Sequence, residues 1–497
     1  MLEMPRAENL LWSFILLSRD AMKKLLFIIL ILLWALPGWG ATETFYVCQG
    51  GDGTLPETAV CATAWDDVDI DTAGNWAAID ADDAKIGPND DVLFMDEGGD
   101  ILFTVLWDIK QSGLSGLPIT FKNAPGDTPV LDANGQNAAI YSQDKSYLTF
   151  DGLTMKGGEV NAFQSRAATA QAVGITVENC TLDGTASSNA SSNVLYMFDS
   201  NGHDTIVISN NTIFGAGADS GGNNSDNIKI TTGSNIDIYG NTLYNANAEG
   251  LDLADITDLN VYNNFLYDNN VAAQVGQSDV KIHSSAAPDT SQDVALYNNI
   301  ISSSHNGHGI SFVDVLTNIY MYNNTVYGIA GSQVYVVTSS TITAKNNVVY
   351  NGAGDDIEID GTSTVNGDYN WFEDAAEAGA GTYTDGGNTT WSGANPLFAN
   401  AAGNNFRLQP NSPLIDAGTT LDIHVQGWLD YGDSERGCGE AFDIGAYEFC
   451  YSSDWPPLPI VFDKGNKVVA FYVPPADDLY YGADQITYGA DTIEYGN

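Results

Sequence analysis

A phrase built on an Asn pair returns along the chain as "NIDIYGNTLYN" (235–245), "DLNVYNNFLYD" (258–268), "DVALYNNIISS" (293–303), "NIYMYNNTVYG" (318–328) and "TITAKNNVVYN" (341–351). A pattern held at one offset while its surroundings change marks a structural repeat. Apolar residues two apart precede each pair, as in Ile206/Ile208, Ile236/Ile238, Leu259/Val261, Val294/Leu296, Ile319/Met321 and Ile342/Ala344. Period two means strand. A second apolar series follows the pairs at Ile213, Leu243, Leu266, Ile301, Val326 and Val349, with spacings of 30, 23, 35, 25 and 23 residues. Those intervals are too long for hairpins and too regular for separate domains, so each is one coil of a solenoid.

A third apolar pair opens each coil: Ile228/Ile230, Leu251/Leu253, Val280/Ile282, Ile310/Phe312 and Val334/Val336. Two or three short parallel strands per coil make an all-β parallel β-helix, in which each coil covers the apolar interior of its neighbour. The second Asn of each pair, Asn211, Asn241, Asn264, Asn299, Asn324 and Asn347, is then expected to stack at one inward bend. Each amide bonds the next about 4.8 Å away, and Asn also suits a left-handed bend. Cys180 falls at the same position one coil earlier, and Leu153 one coil before that. Cys180 is therefore expected to be a buried free thiol.

The coils resemble right-handed parallel β-helix repeat proteins of the pectate-lyase-like superfamily, over roughly residues 120–372. The segment "NPLFANAAGNNFRLQPNSPLIDAG" (395–418), with "FDIGAYEF" (442–449), is similar to the C-terminal part of exported bacterial β-helix proteins of the choice-of-anchor Q type. Residues 44–69, "TFYVCQGGDG" through "ATAWDDVD", are similar to the opening strand and cap of the same proteins. The resemblance implies right-handed winding, an extracellular or surface-attached location, and action on or binding to carbohydrate.

Met22–Ala41 reads as a secretory signal: two lysines, a twelve-residue apolar run from Leu25 to Leu36, and small residues at Gly38 and Gly40. Residues 1–40 are read as an upstream extension plus this signal, 41–119 as an N-terminal cap with opening strands, 120–372 as coils, 373–450 as a closing segment and 451–497 as an acidic, Tyr-rich tail. No later run is long enough to span a bilayer, so the mature chain is expected to be secreted or held at the cell surface, as a monomer. In an exported chain, Cys48 with Cys61 and Cys438 with Cys450 bracket short loops and form the expected disulfides.

The chain carries a net charge of −47 at pH 7. Residues 1–40 hold four of its 17 basic and three of its 64 acidic side chains, leaving 13 and 61. Nucleic acid is excluded as a partner. Such acidity fits either solubility in a salty medium or Ca²⁺ loading.

Outward positions between the opening apolar pairs form the column Lys229, Asp252, Lys281, Ser311, Tyr335 and Glu358. Two lysines flank a carboxylate in a chain with few basic residues; the resemblance to the pectate-lyase-like superfamily implies a uronate-polymer lyase with Lys281 as base, and the alternative is a salt-bridge ladder on a solvated sheet. His283, His305 and His308 lie in neighbouring coils and could join Asp252 in an acid/base or metal cluster, although His283 falls on the side of Ile282 away from Lys281, at an expected bend. The insertion 283–293 would wall the site. A second outward column, Tyr239, Tyr262, Tyr297 and Tyr322, offers ring platforms for a sugar, or stacking that stabilises the sheet. These features fit two functions: a polysaccharide-processing enzyme, or a non-catalytic carbohydrate-binding or adhesion protein.

Overall fold

A computed structural model describes residues 42–450 apart from 56–57, 73–74, 76–84, 98, 187–191, 218–224, 272–275, 285–291, 303–306, 315, 375–376 and 422–428. The signal, His305, most of the insertion 283–293 and the tail 451–497 lie outside the described residues. The chain divides into two units, Met1–Phe449 and Cys450–Asn497, and the coils belong to the first.

Three long parallel sheets wind around one interior. The first runs from Thr44–Cys48 to Thr382–Asp385, the second from Ile101–Leu102 to Thr390–Trp391, and the third from Asp108–Ile109 to Glu377–Ala378. Every pairing within them is parallel and joins successive coils, so the fold is a parallel β-helix. In one coil, Gly233–Tyr239 belongs to the first sheet, Thr242–Tyr244 to the second and Leu251–Ala254 to the third. The inward side chains of that coil, Ile236, Ile238, Leu243, Leu251 and Leu253, are all fully buried. Each contributes about 1.5–3 kcal/mol of gross burial free energy. The alternation survives because only one face of each strand is interior.

The two residues of each Asn pair have different roles. The second Asn makes the ladder: Asn211 Nδ2 donates to Asn241 Oδ1 at 2.9 Å, Asn241 to Asn264, Asn264 to Asn299, Asn299 to Asn324 and Asn324 to Asn347 each at 3.0 Å. Asn347 continues to Asn370 at 2.9 Å, one rung beyond the six asparagines aligned by sequence. Each acceptor oxygen also takes the backbone N–H of the preceding ladder residue, as Asn264 Oδ1 takes Asn241 N–H at 3.0 Å. The left-handed backbone falls instead on the first residue: Asn210, Asn263, Asn298, Asn323 and Asn346 have φ between 51° and 57°, and Gly240 takes that place with φ 65°. This corrects the expectation that the ladder residue itself would carry the bend.

The N-terminal end is stapled by a Cys48–Cys61 disulfide and a helix, Asp67–Asp71, capped by the Asp66 carboxylate. Its interior is aromatic, with Phe94, Trp107, Phe121, Phe150 and Phe163 in successive ring contacts. Cys438 is also disulfide-bonded, and Cys180 is a buried free thiol whose pKa burial pushes up to about 12.

Residues 395–421 and 429–449 lie along the outside of the solenoid and dock on the first Asn of several pairs. Asn298 accepts from Arg436 Nη2 at 2.6 Å, Asn323 donates to Asp443 O at 3.0 Å, and Asn346 accepts from Thr419 N–H at 2.9 Å.

Candidate functional site

Strands Leu195–Phe198, Ile228–Ile230, Leu251–Ala254, Ser278–His283, His308–Phe312, Val334–Val336 and Ile357–Ile359 are consecutive in the third sheet. Their register sets Tyr196, Lys229, Asp252, Lys281, Ser311, Tyr335 and Glu358 in one column on the outer face. The column expected from the sequence is thus present, with Tyr196 added at its N-terminal side.

Lys229 Nζ bonds Asp252 Oδ2 and lies 3.0 Å from Asp226 Oδ2. Lys281 Nζ lies 3.3 Å from Glu249 Oε1. His283 Nε2 lies 2.8 Å from Asp252 Oδ1. The strand Ser278–His283 continues through His283, so residues 281 and 283, two apart, share the outward face. That corrects the expectation of a bend: His283 faces the same way as Lys281 and converges on Asp252.

Asp226 and Glu249 are site residues that the strand pattern does not predict. They stand two residues before the opening apolar pairs, in "SDNIKI" and "AEGLDL", where strict alternation would point them into the core. The bend before each strand instead brings them beside the lysines. Both are buried, and Glu249 N–H donates to Asp226 Oδ1 at 3.0 Å. An acid at the same offset in two successive coils was the available signal.

Burial, reinforced by the Asp226 charge, drives the Glu249 carboxyl well above the usual range, and burial raises Asp226 as well. Burial thus biases both neighbouring carboxyls toward the protonated form, against the pull of Lys229 on Asp226 and of Lys281 on Glu249. Burial would raise Asp252 too, but the His283 hydrogen bond and the Lys229 charge outweigh it and hold that carboxyl below its ordinary value. Burial works against both ammonium groups, yet Asp226 and Asp252 keep the Lys229 pKa above the usual lysine value, and Glu249 and Asp252 do the same for Lys281. Both lysines are therefore charged at neutral pH. A lysine in that state is a good anion contact and a poor general base.

His308 does not join this cluster. It stacks on Tyr335 with centroids 4.5 Å apart, two strands from Asp252, and burial lowers its pKa. Among the described residues, no group of three or more His, Cys, Asp or Glu is arranged to hold a metal ion, and no helix is long and apolar enough to cross a membrane.

The tyrosine column lies on a different sheet, the first. Tyr239, Tyr262 and Tyr297 stack face to face at 4.8 and 4.7 Å with interplanar angles of 10° and 2°. Rings stacked this way present edges, not faces, to solvent. Tyr297 and Tyr322 are in addition buried, packed in a cluster that includes Leu421 of the closing segment. Sugar contact at Tyr297 and Tyr322 is thereby blocked.

No family model matches the chain, and no curated protein is similar to it. Among solved structures, the pectate lyase Pel9A matches with a TM-score of 0.54 and 16% identity, over 83% of this chain and 98% of that one. The likeness shows a shared fold. XylC, solved in complex with xylose, gives 0.47 and 11% identity over 82% and 98%. PfbA, a surface adhesin of Streptococcus pneumoniae, gives 0.33 and 14% identity over 56% and 84%.

Proposed function

We propose that this protein is exported, binds an acidic extracellular polysaccharide on the outer face of its third sheet, and cleaves it by β-elimination. The observation that carries this reading is the pair of charged lysines, Lys229 and Lys281, flanking Asp252 on adjacent strands, with the His283 imidazole held on the same carboxylate. In the proposed step the ammonium groups neutralise a uronate carboxylate, which makes the adjoining C–H acidic. Imidazole takes that proton, the electron pair forms a C=C bond, and the glycosidic C–O bond at the next carbon breaks; the departing oxygen is protonated by solvent or a nearby acid. Asp252 orients the ring through its contact with Nε2. The base role that the sequence suggested for Lys281 passes here to His283, because Lys281 is held charged.

A second reading has its own observation: each of the two lysines is already paired with a carboxylate, as in a stabilising ladder. Under it the protein is a carbohydrate-binding or surface-adhesion protein without turnover, and a closing segment of choice-of-anchor Q type would suit surface display.

The mature protein would be offered a panel of uronate polymers, with binding and the ultraviolet absorbance of unsaturated products both recorded. His283→Ala is expected to lower kcat by about a hundredfold or more with binding retained, and Lys281→Met to act mainly on KM. Binding without unsaturated product in the parent protein would support the second reading. No binding to any acidic polymer would overturn the first reading.

A further inference from the structure

Resting on that proposed function, we infer that the ligand track extends beyond the lysines in both directions, with Tyr196 and Tyr335 as its outer contacts, so that the substrate is a chain engaged over several residues. Tyr196 lies one strand before Lys229 in the same outward column, and Tyr335 two strands after Lys281. Both rings are partly exposed. Six strands separated by about 4.8 Å span about 24 Å, long enough for several sugar rings laid end to end along the solenoid axis.

The two outer positions are built alike. Tyr196 is stacked on Phe198 with centroids 4.4 Å apart at 12°, and Tyr335 is stacked on His308 at 4.5 Å and 14°. In each, a second ring braces one face of the tyrosine and fixes its plane, while the phenol edge stays at the sheet surface. Burial pushes the Tyr196 and Tyr335 hydroxyls above the ordinary tyrosine range, so both remain neutral donors at any working pH. The chemistry fits a polymer with anionic groups over the lysines and hydroxyl-rich rings over the tyrosines. It differs from the Tyr239 column, where each ring stacks on its neighbour one coil away.

The test uses a size series of whichever uronate polymer the parent protein binds, from trimer to octamer. Affinity and kcat/KM are expected to rise with length up to five or six residues. Tyr196→Ala and Tyr335→Ala should each cost about tenfold on hexamer and longer ligands and leave the trimer unchanged, and the double variant should lose the length dependence. Tyr196→Phe and Tyr335→Phe separate lost hydroxyls from lost rings. If the parent binds the polymer but its affinity is independent of length, or the variants weaken trimer and hexamer equally, the extended track is wrong and the central site stands. If the parent binds no acidic polymer, the functional reading falls and the track with it.

Discussion

Asp279 sits in the same strand as Lys281 but is buried, and burial pushes its carboxyl up to about 7 against the pull of the Asn269 hydrogen bond. The unfolded chain releases that proton near pH 4, while the folded chain holds it to about 7. Stability from this group is therefore complete below pH 4 and is lost as pH rises from there through 7, a penalty on the order of a few kcal/mol at pH 8. Asp279→Asn is expected to leave the melting temperature near its parent value at pH 4, to raise it progressively up to pH 7, and to hold a constant gain above that. Thermal melts across that range check it; a parent–variant difference independent of pH would refute the assignment. His203 has the opposite sign. Buried against Ser165 Oγ at 3.0 Å, it is pushed down to about 4, so it destabilises the fold as pH falls below about 6.5.

At the scale of the element, the Asn pair separates conformational from hydrogen-bonding demands. Asn264 Oδ1 takes two N–H groups of Asn241, and its Nδ2 serves Ile238 O at 2.8 Å and Asn299 Oδ1. Asn264→Ala orphans several buried groups and should cost about 3–5 kcal/mol, at the upper end for one side chain. Asn263, its neighbour, only has to hold φ 53°. Asn263→Gly should therefore fall within about 0.5 kcal/mol of the parent, whereas Asn263→Val should cost about 1–2 kcal/mol. Urea unfolding of the three variants measures this, and equal costs at 263 and 264 would contradict the division of roles. The same contrast explains Gly240, which replaces a first Asn without breaking the ladder.

Across the whole unit, the closing segment is clamped by one buried cation. Arg436 bonds Glu448 at 3.4 Å, Asn298 at 2.6 Å and the carbonyls of Gly445 and Ala446 at 3.0 and 2.8 Å. Burial pulls the guanidinium down to about 10, although Glu448, Asp430 and Asp443 support its charge. Removing one partner of a buried ion pair strands the other, at about 3–5 kcal/mol. Arg436→Met should loosen the segment while the coils stay paired, seen as faster hydrogen exchange at 414–449 and at Asn298, Asn323 and Asn346, with the Asn264 region unchanged. Unaltered exchange at those three asparagines would show that the clamp does not hold the segment.

The amino-acid sequence alone determined the coil period, the inward set and the ladder column. The reason is that a solenoid coil touches only its neighbours, so its register is written in short-range, repeated form: Lys229, Asp252 and Lys281 could be aligned without any coordinates. Tertiary structure decided what lies at bends and between distant parts. Period two breaks at a bend, which concealed Asp226 and Glu249, while an uninterrupted strand carried His283 onto Asp252. Arg436 meets Asn298 across 138 residues of sequence, and no periodic signal could announce that contact or the burial of Tyr297 and Tyr322. The pairing of Lys281 was hidden for the same reason: its partner Glu249 stands 32 residues earlier, at a bend.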